Sequence, residues 1–296
     1  MQLSIIIVNY NTSNLVADCV KSIIANTSQD LSYEIIVVDN ASSQADIEKL
    51  KTINNINLVL SNENLGFGKG NNLGVKHSKG DILLFLNSDT ILYEDSLNIM
   101  YNFFVENETT LNMGALGCEL VDVEKKPNGS YYHFTNCKKI MKSYGSMIFK
   151  KLSPKDVPFK FNENGVAEVD FVIGADLMMR KDIFKKIGGF DKDFFMYFEE
   201  ADMQLKLKKL NLKRIVINHT HIIHLEGGSS DSIERLSNRR RTMIQQGKNL
   251  YLKKNDRKWY PLYVLTDFAY SIARFFNRNY TFNENFSFFK DNLKSY

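Results

Sequence analysis

The stretch ILLFLNSDT, residues 82–90, places five consecutive apolar residues directly before Asn87, Ser88 and Asp89. A continuous apolar run of this length predicts a strand that is buried on both faces of a sheet, as in parallel sheets. The same arrangement occurs twice upstream, where residues 3–8 lead into NYNT and residues 34–38 lead into DNAS. Asp89 at such a strand end can bind a hard divalent cation through oxygen. An Asx turn that caps the next segment is the alternative.

The segments between these strands have helical patterns. Ser13 can cap a helix whose apolar residues recur at helical spacing up to Ile24, residues 46–53 and 71–77 also favour helices, and residues 56–60 favour a strand. Alternating strands and helices predict an α/β fold with a Rossmann-like, mostly parallel mixed sheet flanked by helices. Ligands bind such sheets beyond the carboxyl ends of the strands. Those ends carry Asn9, Asp39, Asn87 and Asp89, which together indicate a nucleotide or metal site.

The pattern changes after residue 90. We predict a helix over 97–105, a strand over 115–120, a less periodic stretch over 125–164, a strand over 168–173, a helix from about 181 and a strand over 214–217. There is no internal repeat or low-complexity linker. The simplest division is one catalytic domain over residues 1–230 and a C-terminal helical extension over 231–296.

Composition indicates a soluble globular protein, with 296 residues, 44% hydrophobic and 24% charged. The net charge of +4 does not indicate nucleic-acid binding, although basic residues cluster late in the chain. Cys19, Cys118 and Cys137 form neither a CxxC pair nor a disulfide framework, which suits the cytosol. The N-terminal apolar run is too short for a signal peptide, and no stretch approaches the roughly 18 apolar residues of a spanning helix. We therefore expect a cytosolic protein.

An acidic cluster of Glu199, Glu200 and Asp202 lies within the aromatic segment FFMYFEEAD, residues 194–202. On a helix, Glu199 and Asp202 share a face. Packing beside Tyr197 and Phe198 would raise the pKa of these carboxyl groups, which suits a general base. The alternative is a helix N-terminus that carries acids because they interact favourably with the macrodipole.

Two further segments contain candidate ligand-binding residues. His224, beyond the strand at 214–217, could complete the metal coordination begun by Asp89, and a structural histidine is the alternative. The pair Gly227-Gly228 would allow close approach to phosphate. The stretch NLGFGKGNN, residues 64–72, matches neither GxxxxGK[ST] nor GxGxxG, so it indicates either backbone packing against a sugar nucleotide or a plain strand-to-helix turn.

In their order along the chain, these segments resemble the family 2 glycosyltransferases of the GT-A fold, especially the rhamnosyltransferase-like branch of bacterial surface-polysaccharide biosynthesis. Each motif is modest alone, but the ordered set is highly specific and spans about three quarters of the chain. The matching pieces are VNYN (8–11), VVDNAS (37–42), NLGFGKGNN (64–72), LNSDT (86–90), GADLMMR (174–180), GGFDKDFFMYFEEAD (188–202) and IHLEGGSS (223–230).

The resemblance implies an inverting transfer of a sugar from a nucleotide-diphosphate donor, either dTDP-rhamnose or a UDP-hexose, to a glycan or lipid-linked acceptor. It implies a divalent cation, Mn²⁺ or Mg²⁺, and a division into a nucleotide-sugar half (about 1–115) and an acceptor half (about 116–230). Asp89 resembles the last aspartate of the DxD-type metal motif, whose first position is Asn87 here, and His224 falls where relatives place a second metal ligand. Glu200 matches the usual catalytic base, with Glu199 left open.

The resemblance also implies donor and acceptor contacts. Asp39 corresponds to the residue that binds the pyrimidine, and Asp202 is assigned to the acceptor. The expected donor-binding residues are Asn9, Tyr10, Asn11, Asp39, Gly66, Asn71, Asn87, Ser88 and Asp176.

Two other functions fit the sequence less well. A sugar nucleotidyltransferase would have a glycine-rich basic signature near the N-terminus, which VNYN lacks. A sugar-nucleotide-binding module without transfer activity is disfavoured because Asp39, Asp89, Glu200 and His224 occur together. The basic, aromatic stretch from Arg235 to Phe289 fits docking on the cytoplasmic face of the inner membrane, or a solvated helical face with homodimer contacts, which we favour. No nucleic-acid recognition motif is present.

Overall fold

The computed structural model describes residues 1–148, 159–225, 236–275 and 279–296, except for the side chains of residues 146–148. The expected domain boundary at residue 230, the Gly227-Gly228 pair and Arg235 lie outside the described residues.

The described elements alternate between strands and helices in the first third of the chain and become mostly helical at the end. The strands are β1 (Leu3–Asn9), β2 (Tyr33–Asp39), β3 (Asn57–Leu60), β4 (Ile82–Leu86), β5 (Thr90–Ile91), β6 (Met113–Val121), β7 (Tyr131–Tyr132), β8 (Val166–Val169), β9 (Phe171–Val172), β10 (Asp176–Arg180) and β11 (Lys213–His224). The helices are α1 (Ser13–Asn26), α2 (Gln44–Lys51), α3 (Phe67–His77), α4 (Ser96–Asn107), α5 (Cys137–Ile148), α6 (Lys181–Lys186), α7 (Glu199–Lys209), α8 (Asn238–Asn255), α9 (Tyr260–Arg274) and α10 (Phe282–Lys294).

The main sheet has the order β3-β2-β1-β4-β10-β6-β11-β5, and β8 also pairs with β11. Strands β3, β2, β1 and β4 are parallel, and β10 runs antiparallel to both β4 and β6. Because β6 therefore runs with β4, and β11 is parallel to β6, the carboxyl ends of six strands meet at one edge of the sheet. This edge, called the carboxyl edge below, is where ligands bind sheets of this kind.

Alternation along β1 shows how the sheet is buried on both faces. Ile5 and Ile7 pack in a core with Val16 of α1, whereas Ile6 packs on the opposite face with Val38. Gly74 of α3 brings that helix close to the sheet, since a Cβ there would lie 2.4 Å from Ile6. The continuous apolar runs of the sequence are thus explained by two helix layers, and the expected α/β architecture, a mostly parallel mixed sheet flanked by helices, is confirmed.

Several elements differ from the sequence prediction. Helix α3 begins at Phe67 instead of residue 71, and β11 continues to His224, which therefore lies in the strand and not beyond it. The stretch 125–164 contains β7 and the amphipathic helix α5. The strand predicted over 168–173 is divided into β8 and β9, and β10 was not predicted.

The C-terminal helices share a core with the middle of the chain. Tyr251 and Tyr263, from α8 and α9, pack in one cluster with Phe194, Ala201 and Tyr144. This cluster joins α8 and α9 to α5 and α7, so the C-terminal helices support the segment that precedes Glu199. Within the described residues, no helix is both long enough and apolar enough to span a membrane.

The three cysteines are free and buried. Burial raises the pKa of the Cys19 thiol to about 12 and that of the Cys137 thiol to about 12. Burial also raises the pKa of Cys118 well above its usual value. All three thiols are therefore uncharged at physiological pH.

Candidate active site

Asn9 and Asp39 end the neighbouring strands β1 and β2, and both are fully buried. The amide Nδ2 of Asn9 donates to Asp39 Oδ1 at 2.8 Å and to Asp46 Oδ2 at 2.7 Å. The backbone N–H of Ser42 donates to Asp39 Oδ2 at 3.1 Å. Both carboxylate oxygens of Asp39 are thus oriented by hydrogen bonds, so the side chain is held rigidly at the carboxyl edge.

The loop after β1 turns sharply at Asn11, whose φ of 56° is in the left-handed region. The Asn11 side-chain oxygen accepts a 2.8 Å hydrogen bond from the Ser43 backbone N–H, which ties this loop to the start of α2. Tyr10 is 42% exposed. The Tyr10 ring is therefore accessible to a ligand, whereas the Asn11 side chain stabilises the loop through its hydrogen bond with Ser43.

Asn40 connects the end of β2 to the glycine-containing loop before α3. It is not among the predicted site residues. Its Nδ2 donates to Asn64 Oδ1 and to the Gly66 carbonyl, each at 3.1 Å. Its Oδ1 accepts a 2.9 Å bond from the Leu65 backbone N–H. A buried asparagine with one side-chain and two backbone partners in the same loop fixes that loop, and its position directly after Asp39 was the available signal.

Gly66 lies where only glycine fits. Its φ is 78°, and a Cβ would lie 2.0 Å from the Phe195 carbonyl oxygen. The same carbonyl accepts a 2.9 Å hydrogen bond from the Phe67 backbone N–H. The loop before α3 is therefore bound to the segment that precedes Glu199. Asn71 is buried one helical turn later, and its Nδ2 donates to the Phe67 carbonyl at 3.1 Å.

Asp89 and His224 lie side by side at the carboxyl edge. Strand β5 pairs with β11 so that Thr90 is opposite His224, and the Leu225 backbone N–H donates to the Asp89 carbonyl at 2.9 Å. Asp89 Oδ1 is 3.4 Å from His224 Nε2, and both residues are buried. A carboxylate oxygen and an imidazole nitrogen this close can bind one divalent cation. The sheet thus brings together the two residues that the sequence predicted as metal ligands.

Asn87 and Ser88 lie between β4 and Asp89. The Asn87 backbone N–H donates to the Ala175 carbonyl at 3.0 Å, and its carbonyl accepts a 2.8 Å bond from the Thr90 hydroxyl. The Ser88 hydroxyl is 3.4 Å from that of Thr12. These contacts fix the backbone that presents Asp89.

Asp176 begins β10 opposite Leu86, the last residue of β4, and is fully buried. Its Oδ2 accepts a 2.6 Å hydrogen bond from the Cys118 backbone N–H. Burial raises the pKa of the carboxyl group to about 7, against the lowering effect of that hydrogen bond and of nearby His224. Asp176 therefore belongs to the same electrostatic environment as the Asp89–His224 pair.

Glu199 and Glu200 begin α7 immediately after two residues with positive φ, Tyr197 at 69° and Phe198 at 71°. Glu199 is 2% exposed. Its side chain packs close to Gly68 of α3, where an added Cβ would lie 3.5 Å from the Glu199 Cγ. Burial and the neighbouring Glu200 carboxylate raise the pKa of Glu199 well above its usual range, and burial raises the pKa of Glu200. The direction of both shifts agrees with the expectation from the aromatic surroundings.

Helix α8 is bonded to α7 and to the segment that precedes it. Asn255 Nδ2 donates to Asp202 Oδ1 at 2.8 Å, and Lys206 lies 3.5 Å from Asp202 Oδ2. Lys254 bridges Asp191 and Asp193 at 2.6 and 2.7 Å. Asp202 is therefore part of the junction between α7 and α8.

Gly247 of α8 allows the closest contact in this junction. A Cβ at Gly247 would lie 2.4 Å from the Tyr197 carbonyl oxygen. The backbone of α8 thus approaches the left-handed turn that positions Glu199 and Glu200. No sequence motif indicated this role for the C-terminal helices.

The mixed sheet, with its polar strand ends gathered at the carboxyl edge, has the expected GT-A fold. Residues 4–188 match the family model described as Glycosyl transferase family 2, and the chain belongs to this family.

Two curated relatives and one solved structure illustrate the similarity. The chain is 28% identical to rhamnosyltransferase WbbL of Escherichia coli K12 over 220 residues, which cover 70% of this chain and 78% of that protein. It is 32% identical to the poly(ribitol-phosphate) beta-glucosyltransferase of Bacillus spizizenii over 121 residues, which cover 39% of this chain but only 19% of that protein. The fold is similar to that of mannosyltransferase PcManGT from Pyrobaculum calidifontis in complex with GDP-Man and Mn²⁺, with a TM-score of 0.58, 13% identity, and coverage of 99% of this chain and 73% of that one.

Proposed function

We propose that this protein transfers a sugar from a nucleotide-diphosphate donor to a hydroxyl group of a glycan or lipid-linked acceptor in cell-surface polysaccharide synthesis. The observation that carries the proposal is the 3.4 Å approach of Asp89 to His224 at the carboxyl edge. A divalent cation held by this pair would bind the diphosphate of such a donor. The names of the relatives, a rhamnosyltransferase and a glucosyltransferase, support the class of reaction.

The donor would bind along the carboxyl edge. We assign the base to Asp39, whose carboxylate is rigidly held, with Asn9 and the exposed Tyr10 beside the base and ribose. Gly66, Asn71, Asn87, Ser88 and Asp176 complete the assigned donor site. The GDP-Man bound in PcManGT supports a nucleotide sugar as ligand. For this chain we propose dTDP-rhamnose or a UDP-hexose.

Asp89 and His224 would hold a divalent cation, Mn²⁺ or Mg²⁺. The mixed oxygen and nitrogen donor set favours Mn²⁺, since Mg²⁺ prefers oxygen ligands. In the described part of the chain, no group of three or more His, Cys, Asp or Glu residues is arranged to hold a metal. Diphosphate oxygens of the donor would supply further ligands. A bound cation would stabilise the negative charge of the leaving diphosphate.

The Glu199–Glu200 pair would supply the general base. Burial and the neighbouring Glu200 carboxylate both raise the pKa of Glu199, so ionising both carboxyl groups is unfavourable. The ionised member, assigned to Glu200 with Glu199 as the alternative, would take the proton of the acceptor hydroxyl. The acceptor oxygen then forms a bond to the anomeric carbon while the bond to the diphosphate breaks, which inverts the configuration. Asp202 is assigned to the acceptor side, next to its bonds to α8.

We also propose a division of the chain into three parts. These are a nucleotide-sugar half at about 1–115, an acceptor half at about 116–230 and a C-terminal extension. The shared core of α7, α8 and α9 supports treating the extension as a structural part of the acceptor half. The site of action that fits a lipid-linked acceptor is the cytoplasmic face of the inner membrane.

The test is a screen of nucleotide sugars for metal-dependent release of nucleoside diphosphate. We expect turnover with Mn²⁺ that is lost in Asp89→Ala and in His224→Ala, and retained in the exposed control Asp30→Ala. Near-normal transfer by Asp89→Ala would remove the metal-site proposal. A chain that binds the donor but leaves it intact with every acceptor offered would be a binding module, and release of pyrophosphate from a nucleoside triphosphate would indicate a nucleotidyltransferase.

A further inference from the structure

The outer face of α9 is entirely apolar. Leu262, Leu265, Phe268 and Ile272 are exposed, and Leu265 is 67% accessible to solvent. The helix has two charged residues, Asp267, which is fully buried, and Arg274 at its last position. A surface helix normally presents polar residues to water, so an apolar face that no described element covers is unusual.

Helix α10 extends the same surface. Phe282, Phe286 and Leu293 recur at helical spacing and are exposed, with Phe282 at 68%. The rings of Phe268 and Phe289 lie 6.0 Å apart and connect the two helices, and Phe282 is stacked on Phe286. We call the seven exposed apolar residues of the two helices the C-terminal apolar face.

Among the described residues, the core contacts of α9 and α10 are on the side opposite to this face. The opposite faces of α9 and α10 are buried and joined to each other, since Asn292 Nδ2 donates to Asp267 at 3.0 Å and to Ser271 at 2.9 Å. The helices are therefore anchored by a polar network on the inside. Leaving the apolar side in water is unfavourable, and contiguous apolar patches on soluble proteins mark interaction sites.

The charge of the C-terminal segment indicates which partner the C-terminal apolar face binds. From Arg239 to Lys294 the sequence has twelve lysines and arginines against four aspartates and glutamates, whereas the whole chain has a net charge of only +4. Two of the twelve are paired inside the fold, Lys248 with Asp267 and Lys254 with Asp191 and Asp193, and the excess of basic residues remains. A second copy of the chain would bring two strongly basic segments together, which is repulsive. An anionic lipid surface accepts the apolar residues and attracts the basic ones. Lys290 and Lys294, both exposed, directly follow Phe289 and Leu293 on α10.

We infer that the C-terminal apolar face docks on the surface of an anionic bilayer, with α9 and α10 lying in the plane of the membrane. This inference replaces the sequence-based preference for a solvated face with dimer contacts. It deepens the proposed function in one respect: docking would keep the site near a lipid-linked acceptor. Lipid binding itself is measured without donor or acceptor, so it succeeds or fails independently of sugar transfer.

The experiment is flotation of the full chain with vesicles of phosphatidylcholine alone or with added phosphatidylglycerol. We expect binding to the anionic vesicles that weakens on raising the salt from 0.1 to 0.5 M, because surface charges are then screened. The double variant Leu265→Glu with Phe286→Glu should bind at least about tenfold more weakly, since it places charges within the apolar contact. Both residues are exposed, so thermal unfolding should stay close to that of the wild type.

The matched control is Val123→Glu, which changes an equally exposed apolar residue at 69% accessibility outside the face. It should bind vesicles like the wild type. Equal binding by the double variant, or equal binding to both vesicle types, would overturn the inference. A wild-type dimer that the double variant converts to a monomer with vesicle binding unchanged would instead assign the face to a second copy.

Discussion

Replacing Gly247 by alanine tests whether the C-terminal helices position the proposed base. The new Cβ would meet the Tyr197 carbonyl oxygen at 2.4 Å and the Met196 carbonyl oxygen at 3.1 Å, where 3.4–4 Å is ordinary contact. The turn or the helix must therefore move by about 1 Å. Such overpacking lowers the free energy of unfolding by about 1–3 kcal/mol. The higher helix propensity of alanine offsets about 1 kcal/mol of this loss.

The expected effect on catalysis is larger than the effect on stability. Tyr197 and Phe198 are the two positive-φ residues that lead into Glu199 and Glu200, so a shift there displaces the proposed base directly. Misplacement of a catalytic group by about 1 Å can cost about 10²-fold in rate. We expect Gly247→Ala to keep the donor contacts of Asn9 and Asp39, which lie on β1 and β2, and to transfer sugar about 10²-fold more slowly at saturating donor.

The assay is nucleoside diphosphate release at saturating donor, with urea unfolding in parallel. Gly145→Ala is the matched control, since this glycine is also in a helix and a Cβ there meets nothing within 4 Å. The control should transfer at the wild-type rate and be up to about 1 kcal/mol more stable. A Gly247→Ala variant that transfers at the wild-type rate would refute the positioning argument.

Three further predictions concern the carboxyl groups and the loop before α3. Glu200→Gln should retain donor binding and lose transfer by on the order of 10² or more, measured as initial rates; if Glu199→Gln is the inactive variant instead, the base is Glu199. Asp176 has a folded-state pKa of about 7, above the usual 3.8, so metal-free protein should lose up to about 4 kcal/mol of unfolding free energy as the pH rises from about 4 to 7. Asp176→Asn should flatten that profile in urea titrations at several pH values, and an unchanged slope would show that Asp176 is not its source. Asn40→Ala removes three hydrogen bonds to the loop before α3 and should destabilise the fold by about 2–4 kcal/mol with weaker donor binding by calorimetry, whereas a fully stable variant would contradict the anchoring role.

The parallel half of the sheet could be predicted because each of its strands is a continuous apolar run with a polar end. The antiparallel strand β10 could not, because DLMMR gives no indication of strand direction or neighbour, and its place between β4 and β6 depends on long-range pairing. Helix α5 was detectable, since Cys137, Ile140, Met141 and Tyr144 have helical spacing.

The candidate site was predictable to a similar degree. The residues at strand ends were visible as polar interruptions of apolar runs, and the sheet register brought Asp89 to His224. The left-handed turn at Tyr197 and Phe198 was not predictable, because aromatic residues rarely adopt positive φ. That conformation depends on tertiary contacts, including the close approach of α8, which local sequence does not specify.

The burial of all three native thiols makes the chain suitable for site-directed labelling. Cys19, Cys118 and Cys137 are shielded and uncharged, so maleimide or spin-label reagents should leave them unmodified in the folded protein. A cysteine introduced at Leu265 would then be the reactive position, without prior removal of the native ones. A nitroxide there would report its depth in a bilayer through its accessibility to oxygen and to water-soluble relaxing agents.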